Sequence, residues 1–227
     1  VIKIHKNVIQ GTEEWYALRC GLLTASEMKH IISPKKLEYA DNDKGRSHLY
    51  EMAAQRITCY VEPAYVSDDM LRGRDDEIDA KCLYEEHYAR VEDVGFITND
   101  EWGFTLGYSP DGLVGDDGVI ECKGRRQKFQ IETISCNEMP SDYLIQVQTG
   151  LLVSGRKWCD FISYCGGLPV FVKRVMPDLE VQKAIIRAST VFHEKLENIL
   201  FGYKLWLNYE TTRVIHTKRR VEQEISL

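Results

Sequence analysis

No Cys-x-x-Cys pair occurs among the seven cysteines, Cys20, Cys59, Cys82, Cys122, Cys136, Cys159 and Cys165. Their scatter and odd number argue against a thiolate zinc site and against a cysteine-ligated iron–sulfur cluster. Reduced thiols in a cytoplasmic setting are the simpler expectation. A Walker-type phosphate loop is also missing, so no ATP requirement is expected. The histidines, His5, His30, His48, His87, His193 and His216, lie apart and form no His/carboxylate pairing that would suggest a hydrolytic triad. There is no internal repeat and no low-complexity segment. No apolar stretch approaches a membrane span and no apolar leader opens the chain, so no membrane association is expected. Val1 stands where methionine is usual, and the numbering is expected to start inside the natural product.

A positive excess is lacking as well: the formal net charge is -6. Nucleic-acid proteins often carry the opposite balance. Basic residues are instead concentrated in short runs, Lys35-Lys36, Arg125-Arg126-Gln127-Lys128 and Lys218-Arg219-Arg220. Any one of them reads first as solvated surface; together they suit a focused channel better than a broad basic face. What is present in quantity is core-forming material. With 227 residues, 44% of them apolar, the chain can bury a full core, and one domain over 1–227 is expected. The polar tail from about 211 is expected to be partly disordered.

The densest chemistry lies between Ser109 and Lys123. Ser109-Pro110-Asp111-Gly112 is followed by the apolar Gly118-Val119-Ile120 and then by Glu121-Cys122-Lys123. On a strand, residues two apart share a face, so Glu121 and Lys123 point one way and Cys122 the other. The Pro-Asp-Gly turn can fold Asp111 back beside Glu121. Two carboxylates, with the backbone carbonyl of Cys122 as a further oxygen, suit Mg²⁺. Such a metal polarises a phosphoryl oxygen and helps activate water, and a neighbouring lysine can orient that water or stabilise charge at phosphorus. On this segment alone, a solvated hairpin with a surface ion pair is the simpler reading.

The surrounding pattern predicts an α/β chain. Ile2-Lys3-Ile4-His5 alternates like an edge strand. Thr12 caps a helix whose first turn carries Glu13 and Glu14, with Trp15 and Leu18 facing inward. A second helix is predicted from near Thr24 to Ser33-Pro34, then a loop to Asp43. Helical spacing returns through Leu49, Met52, Ala53 and Ile57, and again through Ile78, Cys82 and Tyr84. Strands are predicted around Val94–Ile97, Phe104–Tyr108 and Val119–Cys122, then a hairpin of Trp158–Tyr164 and Val170–Val175. A helix over about Ser141–Val153 separates the two groups, and a long amphipathic helix runs from Asp178 to about Leu200.

Four segments occur in order: Gly11-Thr12-Glu13-Glu14-Trp15 through Arg19 to Thr24-Ala25-Ser26-Glu27; Gly73-Arg74-Asp75-Asp76-Glu77; the Ser109–Lys123 segment; and Tyr143-Leu144-Ile145-Gln146-Val147-Gln148. This ordered set resembles the lambda-type exonucleases, or YqaJ-like viral recombinases, of the PD-(D/E)XK nuclease superfamily. The resemblance covers Gly11 to about Cys165 and implies a central mixed β-sheet flanked by helices, a restriction-endonuclease-like core.

The resemblance also implies roles. Glu77 matches the family's helix-borne glutamate, in Gly-x-x-x-Glu spacing from Gly73, although composition alone makes it one more surface acid. Gln146 matches a glutamine at the catalytic site; Gln148, roughly 200° further round a helix, cannot share its direction. Arg19, Ser26 and Ser109 match the arginine and two serines that cup the terminal 5′-phosphate, where a planar guanidinium and hydroxyls suit a dianion. Lys35 and Lys36 fall near a basic DNA-facing loop, and Arg125 and Arg126 follow the catalytic lysine. The implied activity is a Mg²⁺-dependent 5′-to-3′ exonuclease on double-stranded DNA ends, with Mn²⁺ able to substitute. It would produce 3′ overhangs for phage-type recombination, as a trimeric ring working with a single-strand annealing protein in the cytoplasm. Two alternatives stay open: a repair-type nuclease of the superfamily cutting internally or from single strands, and an inactive DNA-end-binding module.

Overall fold

The computed structural model describes residues 1–63 and 68–219. Along them run β1 (Ile2–His5), α1 (Glu13–Arg19), β2 (Leu23–Thr24), α2 (Asp43–Thr58), α3 (Asp68–His87), β3 (Phe96–Asn99), β4 (Leu106–Tyr108), β5 (Gly112–Val114), β6 (Gly118–Gly124), α4 (Gln127–Cys136), α5 (Leu144–Ser154), β7 (Trp158–Tyr164), β8 (Phe171–Val175) and α6 (Leu179–Leu207). The expected mixed architecture is present as two four-stranded sheets, ordered β1-β3-β4-β2 and β5-β6-β7-β8. Each contains one parallel pair, β2 with β4 and β6 with β7, among antiparallel ones. The parallel pair β6/β7 requires a crossover, and α4 and α5 supply it.

Local chemistry explains most boundaries. Thr12 accepts from the backbone N–H of Trp15 and starts α1, with Glu13 and Glu14 in its positive first turn. Asn42 caps α2 in the same way, accepting from Gly45 N at 2.9 Å. Asp178 accepts from the N–H groups of Glu180 and Val181 and opens α6, which runs on to Leu207, past the end near Leu200 that its sequence spacing suggested. The predicted second helix near Thr24 is corrected. Leu23 and Thr24 pair with Leu106 and Gly107 as a strand, and only a short 3-10 turn, Met28–His30, follows. The short β5 and all of α4 were not anticipated from the sequence.

Two apolar clusters lie on opposite sides of β6. Val119 joins the larger one, with Tyr108 of β4, Ile145 and Leu151 of α5 and Ile185 of α6. Ile120 and Cys122 join the smaller one, with Ala80 and Tyr84 of α3 and Ile162 of β7. The period of two along β6 therefore sends Glu121 and Lys123 toward the side of α5. Residues 211–219 carry no helix or strand; the remainder of the expected polar tail lies outside the described residues. All seven cysteines are free. Among the described residues, no helix is long and apolar enough to cross a membrane.

Candidate active site

Glu121 is almost fully buried on β6, and its carboxylate meets polar partners. Its Oε2 accepts from the Tyr108 hydroxyl at 3.1 Å. Its Oε1 lies 2.6 Å from Lys123 Nζ and also accepts from Gln146 Nε2. Asp111, half-buried just past β4, accepts from the backbone N–H of Cys122 at 2.6 Å. In extended chain, a residue's N–H and C=O point to the same side. The Cys122 carbonyl is thus directed toward Asp111, while its thiol is buried in the opposite cluster. Burial pushes that thiol well above its ordinary value, so it is no nucleophile.

Tyr108 escaped sequence reasoning, since nothing in Tyr108-Ser109 signals a partner across the turn. Its ring packs against α5 so closely that a Cβ on Gly150 would lie 2.6 Å from it. Tyr108→Phe removes one donor from a buried carboxylate. Unfolding free energy is expected to fall by about 1.5–3 kcal/mol, the range for hydrogen bonds to charged groups. Denaturant titration in metal-free buffer measures it, and unchanged stability would mean the bond contributes nothing.

Glu77 approaches from α3. A Cβ on Gly124, at the end of β6, would lie 2.8 Å from Asp76 Cβ and 3.1 Å from the Cα of Gly73. The missing Cβ of Gly124 thus lets α3 settle onto β6, and Glu77, one turn beyond Gly73, faces the same ensemble. Burial raises its pKa, with Lys123 opposing and Glu121 reinforcing the rise. Burial and then Glu121 push Asp111 up to about 8. For Lys123, burial alone would lower the ammonium's pKa. Glu121, Asp111 and Glu77 outweigh that and hold it well above its ordinary value.

Among the described residues, no three His, Cys, Asp or Glu side chains form a ready-made metal cage. The donor set here is different in kind: Asp111, Glu121, a main-chain carbonyl, and Glu77 behind them. With all three carboxylates ionised, one ammonium would leave two negative charges uncompensated, and in a poorly solvated cleft that excess instead raises the pKa of Asp111 and Glu77. A hard divalent cation fits both the charge and the oxygen chemistry.

A second cluster adjoins the first. β2 and β4 run parallel, so their C-terminal ends leave the sheet together, carrying Ser26 and Ser109. Trp15 ties the two ends of this cluster: its indole N–H reaches Ser109 Oγ at 2.9 Å and Gly95 O at 3.2 Å. The Arg19 guanidinium lies over the Trp15 ring at 4.3 Å and donates to Thr24 Oγ1 at 3.2 Å. Thr24 Oγ1 in turn is 3.3 Å from Ser26 Oγ. Burial lowers the Arg19 pKa, and Glu27, 3.9 Å away, opposes that. The sequence had made Trp15 a core residue; it is half-buried and acts as the cluster's scaffold.

The remaining candidates divide. Gln146 joins the site, whereas Gln148 donates to Met176 O on a different face. Arg125 is held by Tyr143, donating to its hydroxyl at 2.9 Å and stacking near Phe129. Tyr143 also lies 5.9 Å from Lys123 Nζ, another contact with no sequence signal. Arg126 is exposed where α4 begins. Lys35 and Lys36 stand exposed in the loop before α2, and among the described residues no hydrogen bond or ion pair ties them to the cleft.

An Asp, a Glu-x-Lys strand and a facing helical glutamate on a mixed α/β frame define a nuclease of the PD-(D/E)XK type. Residues 14–157 match the YqaJ-like viral recombinase domain, and the chain belongs to that family. It is similar to the alkaline exonuclease LHK-Exo of Laribacter hongkongensis, at 32% identity over 86% of this chain and 97% of that one, with a TM-score of 0.75. The structure of LHK-Exo in complex with dAMP gives 33% identity over the same shares, again with a TM-score of 0.75. A phage-related exonuclease from Haemophilus somnus 129PT shares the fold, with a TM-score of 0.54 and 14% identity over 79% of this chain and 96% of that one. No curated protein sequence matches.

Proposed function

We propose that this chain is a Mg²⁺-dependent exonuclease that degrades duplex DNA from its 5′ ends and leaves 3′ single-stranded overhangs for phage-type recombination. One observation carries this reading: the end of β4 feeds both clusters, with Ser109 in the arginine–serine group and Asp111, two residues on, in the carboxylate group. A terminal phosphate held at the first would keep its strand next to the second.

Asp111, Glu121 and the Cys122 carbonyl would hold the principal metal, and Asp111 with Glu77, through water, a second. Such a metal, when bound, polarises the phosphoryl oxygen and lowers the pKa of the attacking water. Lys123 stays protonated among three carboxylates, so it serves as a donor that stabilises charge developing at phosphorus, not as the base. Gln146, already reaching Glu121, orients the water. Arg19, Ser26 and Ser109 bind the 5′-phosphate. Arg125 and Arg126, beside Lys123 in sequence, and Lys35 and Lys36 in their exposed loop contact the DNA backbone.

Self-association, by family resemblance as a trimeric ring, has support in the apolar end of α6. Trp206 and Tyr203 are exposed there, lining a groove of about 680 Å³ with Tyr50 and Ile57 of α2. A single-strand annealing protein would receive the overhang. The test is digestion of end-labelled linear and closed circular duplexes with Mg²⁺ and then with EDTA. Linear duplex is expected to be shortened from its 5′ ends only with metal, and circles to survive. Nicked circles would instead indicate an internal cutter.

A further inference from the structure

Beside the carboxylates, on the side of α3, lies a cavity of about 550 Å³ whose lining includes Asp111, Pro110, Gln10, Glu77, Ile78 and Arg74. Arg74, Glu77, Ile78 and Lys81 follow the i, i+3, i+4, i+7 pattern, so one face of α3 forms this wall. Most cations nearby are already engaged. Lys6 bonds Glu92 at 2.7 Å, Lys81 is bound to Asp93, and Arg72, on the preceding turn, donates to Asp76 at 2.9 Å. Arg74 is different. It is exposed at the cavity and makes no hydrogen bond or ion pair among the described residues, while its charge acts on Glu77.

Lys123, in contact with Glu121, is the cation paired with the carboxylates, whereas Arg74 acts on Glu77 only through space. A guanidinium standing free at the mouth of a cleft that lacks enough positive charge is suited to an anion arriving from solvent, and its fork matches phosphate oxygens. We propose that Arg74 forms a phosphate-binding subsite for an internal phosphodiester of the DNA strand entering the cleft, distinct from the 5′-phosphate cluster at Arg19. The proposal rests on the nuclease reading. The subsite reads charge and not sequence, since a backbone phosphate is the same for every base.

Counterion release makes the subsite measurable. Each phosphate neutralised adds about 0.9 to the slope of log affinity against log salt, so losing one contact weakens binding roughly eightfold near 0.1 M salt. Binding of a fluorescent duplex to the full chain is measured by anisotropy in EDTA, across a salt series, for wild type, Arg74→Ala and Arg74→Lys. Arg74→Ala is expected to lower the slope by about one, equally on 5′-phosphorylated and 5′-hydroxyl duplex. Arg74→Lys is expected to keep the slope, and thermal melting to be unchanged. A wild-type slope in Arg74→Ala overturns the subsite even if activity falls, because Arg74 would then act only through Glu77. A loss confined to 5′-phosphorylated duplex also overturns it and assigns Arg74 to the end-binding cluster. Wild-type protein that neither binds nor cuts DNA overturns the nuclease reading itself.

Discussion

Asp111→Asn is expected to abolish DNA cleavage while leaving the fold intact and DNA binding largely unchanged. The substitution is nearly isosteric, and the amide oxygen can still accept the hydrogen bond that Cys122 N–H gives Asp111 Oδ2 at 2.6 Å. What is lost is the negative charge that would hold a divalent cation. A metal supplies several kcal/mol of charge stabilisation in such a transition state, so a drop of about a thousandfold or more is expected at about 1.4 kcal/mol per decade. DNA affinity derives mainly from basic and main-chain donors and should survive.

The same variant carries a stability signature that a merely damaged fold would not. Asp111 is pushed up to about 8, first by burial and then by Glu121. Its folded pKa is therefore raised, and the native state holds its proton over a pH range in which the unfolded chain has released it. Stability is lost as pH rises from the ordinary carboxylate value toward about 8. Asparagine has no such dependence. In metal-free buffer near pH 8, Asp111→Asn is expected to melt at or above the wild-type temperature. An inactive variant that melts well below wild type would point to structural damage, and substantial turnover by it would remove Asp111 from the site.

Why some of this was legible in the sequence and some was not comes down to which contacts are local. Glu121 and Lys123 follow from the two-residue period of a strand, and the first helix from Thr12 and its acidic first turn. The segment at Thr24, predicted as a helix, does carry a local helix-start feature. Glu27 does reach back to the N–H and hydroxyl of Thr24, at 3.1 and 2.7 Å, as in a capping box. Leu23 and Thr24 pair with β4 instead, and only a single 3-10 turn, Met28–His30, precedes the buried Ile31 and Ile32. A tertiary contact overrode a local preference.

The helix α4 was invisible for the opposite reason. Its apolar residues face out, with Phe129 at 38% and Ile131 at 54% exposure, while Gln130 and Thr133 are buried. Gln130 bonds to Ser163 O and Pro169 O, so the helix is anchored by amide chemistry and not by an apolar stripe. No hydrophobic periodicity reports such an element. The Tyr108–Glu121 and Trp15–Ser109 bonds join residues 13 and 94 apart in sequence. Only the assembled sheet brings them together.

The exonuclease reading stands or falls at Arg19. Its side chain is largely buried and laid over the indole of Trp15, whose N–H is committed to Ser109 and Gly95. Among the described residues its one hydrogen bond to a side chain goes to Thr24, and the Glu27 carboxylate is 3.9 Å away, too far for a tight pair. A guanidinium held in place by stacking, with weak polar engagement, is preorganised for an incoming anion and loses little entropy on binding it. A 5′-phosphate end supplies such an anion, and the hydroxyls of Ser26 and Ser109 add directed donors. Hydrogen bonds to charged groups contribute about 1.5–3 kcal/mol, or roughly tenfold to a hundredfold in an equilibrium. Wild-type protein is therefore expected to digest 5′-phosphorylated duplex faster than matched 5′-hydroxyl duplex by about that factor. Arg19→Ala should slow digestion of the phosphorylated end by a similar factor and the hydroxyl end far less, erasing the preference. Initial rates on the two duplexes, for both proteins, measure this directly. If wild type treats the ends alike, Arg19 has the narrower task of bracing Trp15 against β2, and end recognition must come from elsewhere in the cleft.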